Sequence, residues 1–338
     1  MKRIFTLYFF ALFCLISQAQ EELYERVYVH TDKTCYLAGE EVWIKFYTTD
    51  THFQPSFFSK VGYVEISNAE RPQAQLKLAL DNGSGSGKIK IPADVPSGIY
   101  ELSGYTQYMR NEGEKIFFRK QIAIINTFRI AESDPITLAD STETYPKEVP
   151  AMNGNIRINT SRPSYSMRQP VELTINGLPE EVSDLIVSVS RNDSLVILPH
   201  HEESVWRQQV TSTPGTFSGQ WVPEYEGHII RGQIQTPEGE TLKQIQNKHV
   251  SADIAFVGKD IRYVQGQVDV EGNARFYTSN IFGINDIVAA AWGANGESYQ
   301  MNILSPFCEN LPKNLPPLKL YRNKKRLLER SIGIQLQQ

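Results

Sequence analysis

Between residues 24 and 127, apolar side chains recur at every second position. Val42, Ile44 and Phe46 alternate with Trp43, Lys45 and Tyr47. A period of two marks a strand with one face buried. Residues 24–30, 61–67, 76–80, 88–91, 99–106 and 115–126 read the same way. Turn chemistry separates them: Ala38-Gly39-Glu40-Glu41, the run Asp81 to Gly87, Asp94-Val95-Pro96-Ser97-Gly98, and Asn111-Glu112-Gly113-Glu114. About seven short strands, with breaks about every 8–12 residues, predict an antiparallel β-sandwich over residues 20–127. No segment in this block sustains a helical period.

The pattern recurs downstream. Residues 128–153 are polar and punctuated by Pro135, Pro146 and Pro150, which predicts a semi-rigid linker. Ile156 and Ile158, then Val171, Leu173 and Ile175, then Leu185, Val187 and Val189 alternate again. A second sandwich is expected over residues 154–224, with an exposed loop at 191–222. A third is expected over residues 225–300, with strands at 230–234, 254–257, 264–270, 274–278 and 287–292. The fold class is therefore all-β, a tandem of Ig-like antiparallel sandwiches. Composition agrees, with 22 Gly and 18 Pro for turns and 16 Tyr and 16 Phe for strands. At 338 residues the chain is too long for one small core.

The two ends differ from the body. Lys2 and Arg3 precede an apolar run from Ile4 to Ile16, and Ser17-Gln18-Ala19 follows. This is the pattern of a secretory signal peptide over residues 1–19. The run is short for a membrane span. Phe13 stands where a lipoprotein signal needs a small residue, so lipidation of Cys14 is not expected. Cleavage after Ala19 leaves Cys35 and Cys308, in different expected domains. Residues 301–338 form a basic tail. Lys319, Arg322, Lys324, Lys325, Arg326 and Arg330 face one acid, Glu329, and read as a solvated linker face. The apolar pattern that ends at Gln338 without a closing turn suggests a fragment, or a chain whose last element packs on something absent.

The formal net charge of -4 offers no basic footprint for nucleic acid. Three Cys supply neither a disulfide framework nor a multi-Cys metal site.

The first block resembles a known family. Val27 to Lys33, Tyr36 to Lys45, Gly85 to Pro92, Pro96 to Leu102, Tyr105-Thr106 and Met109 to Asn111 follow one another as in the macroglobulin-type (MG) domain of alpha-2-macroglobulin-like proteins. The flavour is that of large cell-envelope proteins of Bacteroidetes-type bacteria. Each motif also has a physical reading. Gly39 is placed to take positive φ in a tight turn. Tyr100 and Tyr105 are placed to bury a ring and hydrogen-bond its hydroxyl. The third block is similar, more weakly, to the transthyretin-like regulatory module of carboxypeptidases, on Ile230 to Ile234, Pro237-Glu238-Gly239 and Asp269 to Phe276. Glu224-Tyr225-Glu226-Gly227-His228 resembles the junction in such envelope proteins. In that family the chain usually runs on, sometimes toward TonB-linked outer-membrane modules. The reactive thioester of inhibitor macroglobulins is missing, since neither Lys33-Thr34-Cys35-Tyr36 nor Pro306-Phe307-Cys308-Glu309-Asn310 carries its glutamine partner.

No motif points to catalysis, a cofactor or a metal, so no catalytic, cofactor-binding or metal residue is assigned. His200-His201-Glu202-Glu203 is the densest group of possible ligands, but no second group at ligand spacing accompanies it. Asp81 to Gly87 lacks the spaced carboxylates of a calcium loop and the lysine of a phosphate loop, and reads as a hairpin connection. His30 with Asp32, and Asp50 with His52, lack a nucleophile and read as structural hydrogen bonds. Asp269 to Asn273 reads as a turn. Tyr105, Tyr108, Trp43, Trp206, Trp221 and Trp292 raise the question of a sugar platform, but they are scattered, and core or corner packing is expected to account for most. The sequence therefore reads as a non-catalytic exported protein of the periplasm or outer-membrane surface, with no cofactor. It would bind or scaffold an envelope protein partner, and any membrane association would come through a downstream or partner module. The alternatives are an accessory glycan-binding module for polysaccharide uptake and a protease-interacting protein without a thioester.

Overall fold

The computed structural model describes residues 24–128, 136–139, 156–178, 185–189, 210, 216–235, 250–258, 261–309, 311–321 and 324–335. The expected signal peptide lies outside the described residues, as do most of the linker and most of the 191–222 loop.

The first block folds as eight strands in two sheets. The strands are β1 (Arg26–Thr31), β2 (Cys35–Leu37), β3 (Glu41–Thr49), β4 (Val61–Ser67), β5 (Pro72–Ala79), β6 (Ser84–Lys90), β7 (Gly98–Tyr105) and β8 (Phe118–Ile125). One sheet has the order β1-β3-β6 and the other β2-β8-β7-β4-β5. The alternation in β3 works as its period requires: Val42, Ile44 and Phe46 are buried between the sheets, and Trp43 points out. Gly39 takes φ 90° in the turn before β3, and Tyr100 donates its hydroxyl to the Pro96 carbonyl at 2.6 Å. The short strand β2 departs from the expected pattern. It pairs with β8 in parallel, so the sandwich is not wholly antiparallel.

In the five-stranded sheet every residue of β4 is buried. An antiparallel sheet with one wet face would alternate. Val64 and Ile66 face the three-stranded sheet, and Gly62 sits directly against the Phe46 ring. Tyr63 and Glu65 therefore point to the opposite face, and later parts of the chain cover that face.

The third block forms a second sandwich. Its strands, after the short pairs β9 (Ile136–Ala139), β10 (Arg157–Thr160) and β11 (Leu173–Asn176), are β12 (Ile229–Ile234), β13 (Ser251–Val257), β14 (Arg262–Gln265), β15 (Gln267–Val268), β16 (Asn273–Tyr277), β17 (Asp286–Trp292), β18 (Ser298–Tyr299) and β19 (Met301–Ile303). The sheets run β15-β16-β12-β19 and β14-β13-β17-β18. Ile230, Ile234, Ile254, Phe256, Phe276 and Tyr299 fill the space between them. The single strand expected at 264–270 is two strands in different sheets. The chain crosses at Gly266, whose N–H bonds the Ala252 carbonyl at 2.7 Å. Strands β10 and β11 pair antiparallel, and Ile158, Val171 and Leu173 beside them are exposed.

The tail returns to the first sandwich. Strand β20 (Leu318–Tyr321) pairs with β9 in parallel, and helix α1 (Lys324–Gln335) follows. Leu318 and Leu320 pack on Leu37, Ile99, Ala123 and Ile125. Arg330 is not part of a solvated face. It forms a two-pronged ion pair with Glu40 (3.1 and 3.0 Å) and donates to the Cys35 carbonyl at 2.6 Å. A guanidinium matches a carboxylate with two parallel donors, so one arginine can anchor a helix that composition reads as solvent-facing.

Candidate functional site

The site begins with the odd-numbered residues of β4. A carboxylate on a face that becomes covered must find donors there. Glu65 receives the Tyr105 hydroxyl at 2.6 Å, the Gln75 amide at 2.9 Å and the backbone N–H of Cys308 at 3.2 Å. The same N–H reaches the Tyr105 oxygen at 2.7 Å. Tyr63, two residues earlier, donates to Glu224 (2.9 Å to Oε2). His228 Nδ1 lies 2.9 Å from the Tyr63 oxygen and 3.0 Å from Glu224 Oε1. Glu224 also accepts the backbone N–H of Ile229 at 2.7 Å. The first residue of β12 is thus tied to the first sandwich.

Aromatic rings form the floor of this face. Tyr63 stacks on Tyr105 (5.5 Å between centroids) and Tyr105 on Phe117 (4.4 Å), and Phe307 meets Tyr63 edge-on at 5.8 Å. Burial pushes the Tyr63 hydroxyl well above its ordinary pKa, and the neighbouring Glu224 charge adds to the rise. Burial, then the nearby Cys308 and Glu65 side chains, do the same to Tyr105. Both phenols stay protonated and act as donors. Burial also pushes the Cys308 thiol up to about 12, so it stays protonated at neutral pH.

Beside this network the strap before β12 is clamped at Asn111. Its side chain donates to the Trp221 carbonyl at 2.7 Å and accepts the Trp221 N–H at 2.9 Å. The Trp221 ring lies between two guanidiniums, Arg110 at 3.5 Å and Arg231 at 3.7 Å from its centroid. One cation comes from each sandwich, and the indole between them offsets their repulsion. Desolvation, then Arg275 and Arg110, lower Arg231 to about 10, which leaves it charged at neutral pH.

The same junction opens into a cleft of about 980 Å³. Its walls come from the first sandwich at Lys77–Leu80 and Ser84–Ser86, from the 225–228 turn, and from the 278–287 loop of the second sandwich. Lys45, Lys60 and Lys77 line it, with Asp81 and Glu226 as the lining acids. Lys45 donates to Ser84 Oγ at 3.1 Å. Lys60 and Lys77 form no ion pair among the described residues. Desolvation lowers the Lys77 pKa, against the pull of Glu224.

The residues weighed for chemistry fall elsewhere. Asp32 accepts the Tyr36 hydroxyl at 2.8 Å and the Trp43 N–H at 3.1 Å, and Asp50 accepts the N–H groups of His52 and Gln54. Neither carboxylate bonds the imidazole it was set beside: Asp32 holds a hydroxyl and a backbone N–H, and Asp50 two backbone N–H groups. Asp81 and Ser84 close a hairpin connection, and Asp269 accepts the N–H groups of Glu271 and Asn273 in a turn. The His200-His201-Glu202-Glu203 group and Trp206 lie outside the described residues. Core packing does not account for the other tryptophans. Trp43 is 58% exposed and Trp292 39%, and Trp221 sits between cations. Among the described residues no three His, Cys, Asp or Glu side chains are grouped to hold a metal. Sequence reasoning missed Tyr63 and Glu65, while Glu224 and His228 lie in the 224–228 motif it read as a junction. The available signal was Glu65, a carboxylate inside an otherwise apolar strand.

No protein-family profile matches this chain, and no curated protein does. Among solved structures it shows weak, partial similarity to bacterial alpha-2-macroglobulins. The native form from E. coli is 8% identical with a TM-score of 0.26, covering 85% of this chain and 14% of that one. The methylamine-reacted Salmonella protein is 10% identical with a TM-score of 0.24, covering 82% and 14%. The three N-terminal domains of the bacteriophage RB49 outer capsid protein Hoc are 8% identical with a TM-score of 0.20, covering 82% of this chain and 68% of that one. This chain thus spans about a seventh of the macroglobulins it matches.

Proposed function

We propose that this protein is a non-catalytic, exported scaffold of a Gram-negative envelope that presents β-sandwich surfaces to a protein partner. The observation that carries the reading is the junction itself. Polar contacts from Tyr63, Glu65 and Asn111 hold the segments that flank the second sandwich, at Glu224, Cys308 and Trp221, and among the described residues the outermost strands β5 and β6 pair along one edge only. A fixed spacing between domains with open strand edges suits recognition of an extended chain. The finer parts of the reading rest on sequence. The MG-type motifs of the first block, the transthyretin-like motifs of the third and the leader at residues 1–19 favour an envelope location and a place beside a TonB-linked module.

The test is affinity capture. The immobilised full chain is expected to retain a specific protein from envelope extract. Proline substitutions along β5 that preserve the far-UV circular dichroism are expected to reduce that retention. Absence of any specific partner, together with indifference to the prolines, would remove the proposal.

A further inference from the structure

The cleft between the sandwiches carries an inference about the partner's chemistry. It rests on the interaction reading above and deepens it. Three ammonium groups reach it from separate segments. Lys45 comes from β3 in one sheet, Lys77 from β5 in the other, and Lys60 from the approach to β4. Among the described lining residues the acids, Asp81 and Glu226, are fewer, neither pairs with Lys60 or Lys77, and Glu224 acts on Lys77 without an ion pair. An ammonium without a carboxylate inside a concave site is free to take one from a ligand.

The apolar part of the lining is equally specific. Ile281, Phe282 and Ile287 contribute exposed apolar surface to the walls, while Leu78, Leu80, Ile230 and Phe256 are core residues that reach it with little exposure. A small hydrophilic anion would leave that surface uncovered. Phosphate recognition commonly uses an arginine fork or a helix N-terminus. The described residues that line this cleft include no arginine, and they lie on strands, turns and loops. The strands at its rim, β5 and β6, are the outermost of their sheets. Charges spread over two sheets, apolar walls and open strand edges together fit an extended chain better than a compact ion.

We propose that this cleft receives an extended segment of a protein partner in which acidic and large apolar residues alternate, its carboxylates pairing with Lys60 and Lys77 and its apolar side chains lying toward Phe282 and Ile281. Asn280 and Asn285 line the same cleft, and the Asn285 amide donates to the Phe282 carbonyl at 3.1 Å.

The probe is a fluorescein-labelled Glu-Val-Glu-Phe-Glu-Val peptide, with its Gln-for-Glu counterpart, titrated by anisotropy against the full chain. Saturable binding of the acidic peptide is expected, with weaker binding as ionic strength rises. The Lys60→Gln/Lys77→Gln double variant is expected to lose about tenfold in affinity, a size that fits two partly exposed ion pairs. Both lysines sit at the cleft surface, so the variant should keep the wild-type melting temperature, and that is measured alongside. Equal affinity for both peptides would overturn the proposal, as would an unchanged affinity in a folded double variant. Full displacement of the peptide by inorganic phosphate or succinate at comparable concentration would also overturn it, because the cleft would then be a small-anion site. A captured envelope protein whose binding ignores the double variant removes this cleft assignment and leaves the scaffold reading. Peptide binding without any captured partner does the reverse.

Discussion

The hydroxyl of Tyr63 lies 2.9 Å from Glu224 Oε2, across a sequence separation of 161 residues. That contact joins the outer face of one sandwich to the first strand of the next. It is buried and shared with His228, so it acts as a hinge pin more than as chemistry. Without it, Glu224 would be a desolvated carboxylate with fewer donors.

Tyr63→Phe keeps the ring stack on Tyr105 and removes only the hydroxyl. Glu224 retains the Ile229 N–H and His228, so the loss is one hydrogen bond to a buried charge. Destabilisation of about 1–3 kcal/mol is expected in urea unfolding. The double variant Tyr63→Phe/Glu224→Gln should lose less than the sum of the two single variants, since the coupling is removed once. Strict additivity would show that the pair does not interact.

Arg330 and Glu40 set a second, pH-dependent clamp. Burial raises the Glu40 carboxyl, but hydrogen bonds and charge from Arg330, with help from Lys33, outweigh it and hold the pKa below its ordinary 4.5. The stability this supplies is present above pH 4.5 and is lost as pH falls through the lowered value. Arg330→Met is expected to cost about 1–3 kcal/mol at neutral pH. The difference from wild type should shrink in acid, once Glu40 is protonated. A cost independent of pH would assign Arg330 a packing role alone.

Glu25 has the opposite dependence. Its carboxyl is buried, and desolvation raises its pKa above 4.5 despite hydrogen bonds from Thr106, Ser56 and Ser59. The folded chain therefore holds that proton more tightly than the unfolded chain. Its contribution is most favourable below pH 4.5 and declines as pH rises toward the raised value. Glu25→Gln keeps an acceptor for the hydroxyls and cannot ionise. It is expected to be more stable than wild type near pH 8 and to match it near about pH 4. A variant less stable at both pH values would mean that the three hydroxyl contacts outweigh desolvation.

Much of the first sandwich was legible because its signal is local. Val42, Ile44 and Phe46 state the period, and Gly39 and Pro96 state the turns. Strand β2 was not legible, since three residues in parallel pairing carry no period. The 264–270 run looked like one strand because alternation survives the crossing at Gly266, which only tertiary packing reveals. The junction was half legible. Glu65 in an apolar run demands a buried partner, but nothing local says that Tyr105 and Cys308 supply it. Arg330 shows the same limit: a basic run reads as solvated until its partner Glu40, 290 residues away, is placed beside it. The tryptophans show its converse, because apolar size alone did not reveal that Trp221 separates two guanidiniums.

Cys308 tests the covered face from the chemical side. Its backbone N–H is held by Tyr105 and Glu65, and burial raises its thiol to about 12. Only the thiolate is alkylated at a useful rate. At pH 8 the native chain should therefore leave Cys308 essentially unmodified by iodoacetamide over a period in which the urea-unfolded chain is fully labelled. Peptide mass mapping reads the site. Tyr105→Phe withdraws one acceptor from the Cys308 N–H and loosens the 306–308 segment, so labelling should accelerate several-fold before global unfolding changes. If native Cys308 reacts as fast as the unfolded thiol, the outer face of the five-stranded sheet is open in solution and the junction between the sandwiches is not fixed. Protection in the wild type with acceleration in Tyr105→Phe would tie the cover of that face to the Glu65–Tyr105 pair.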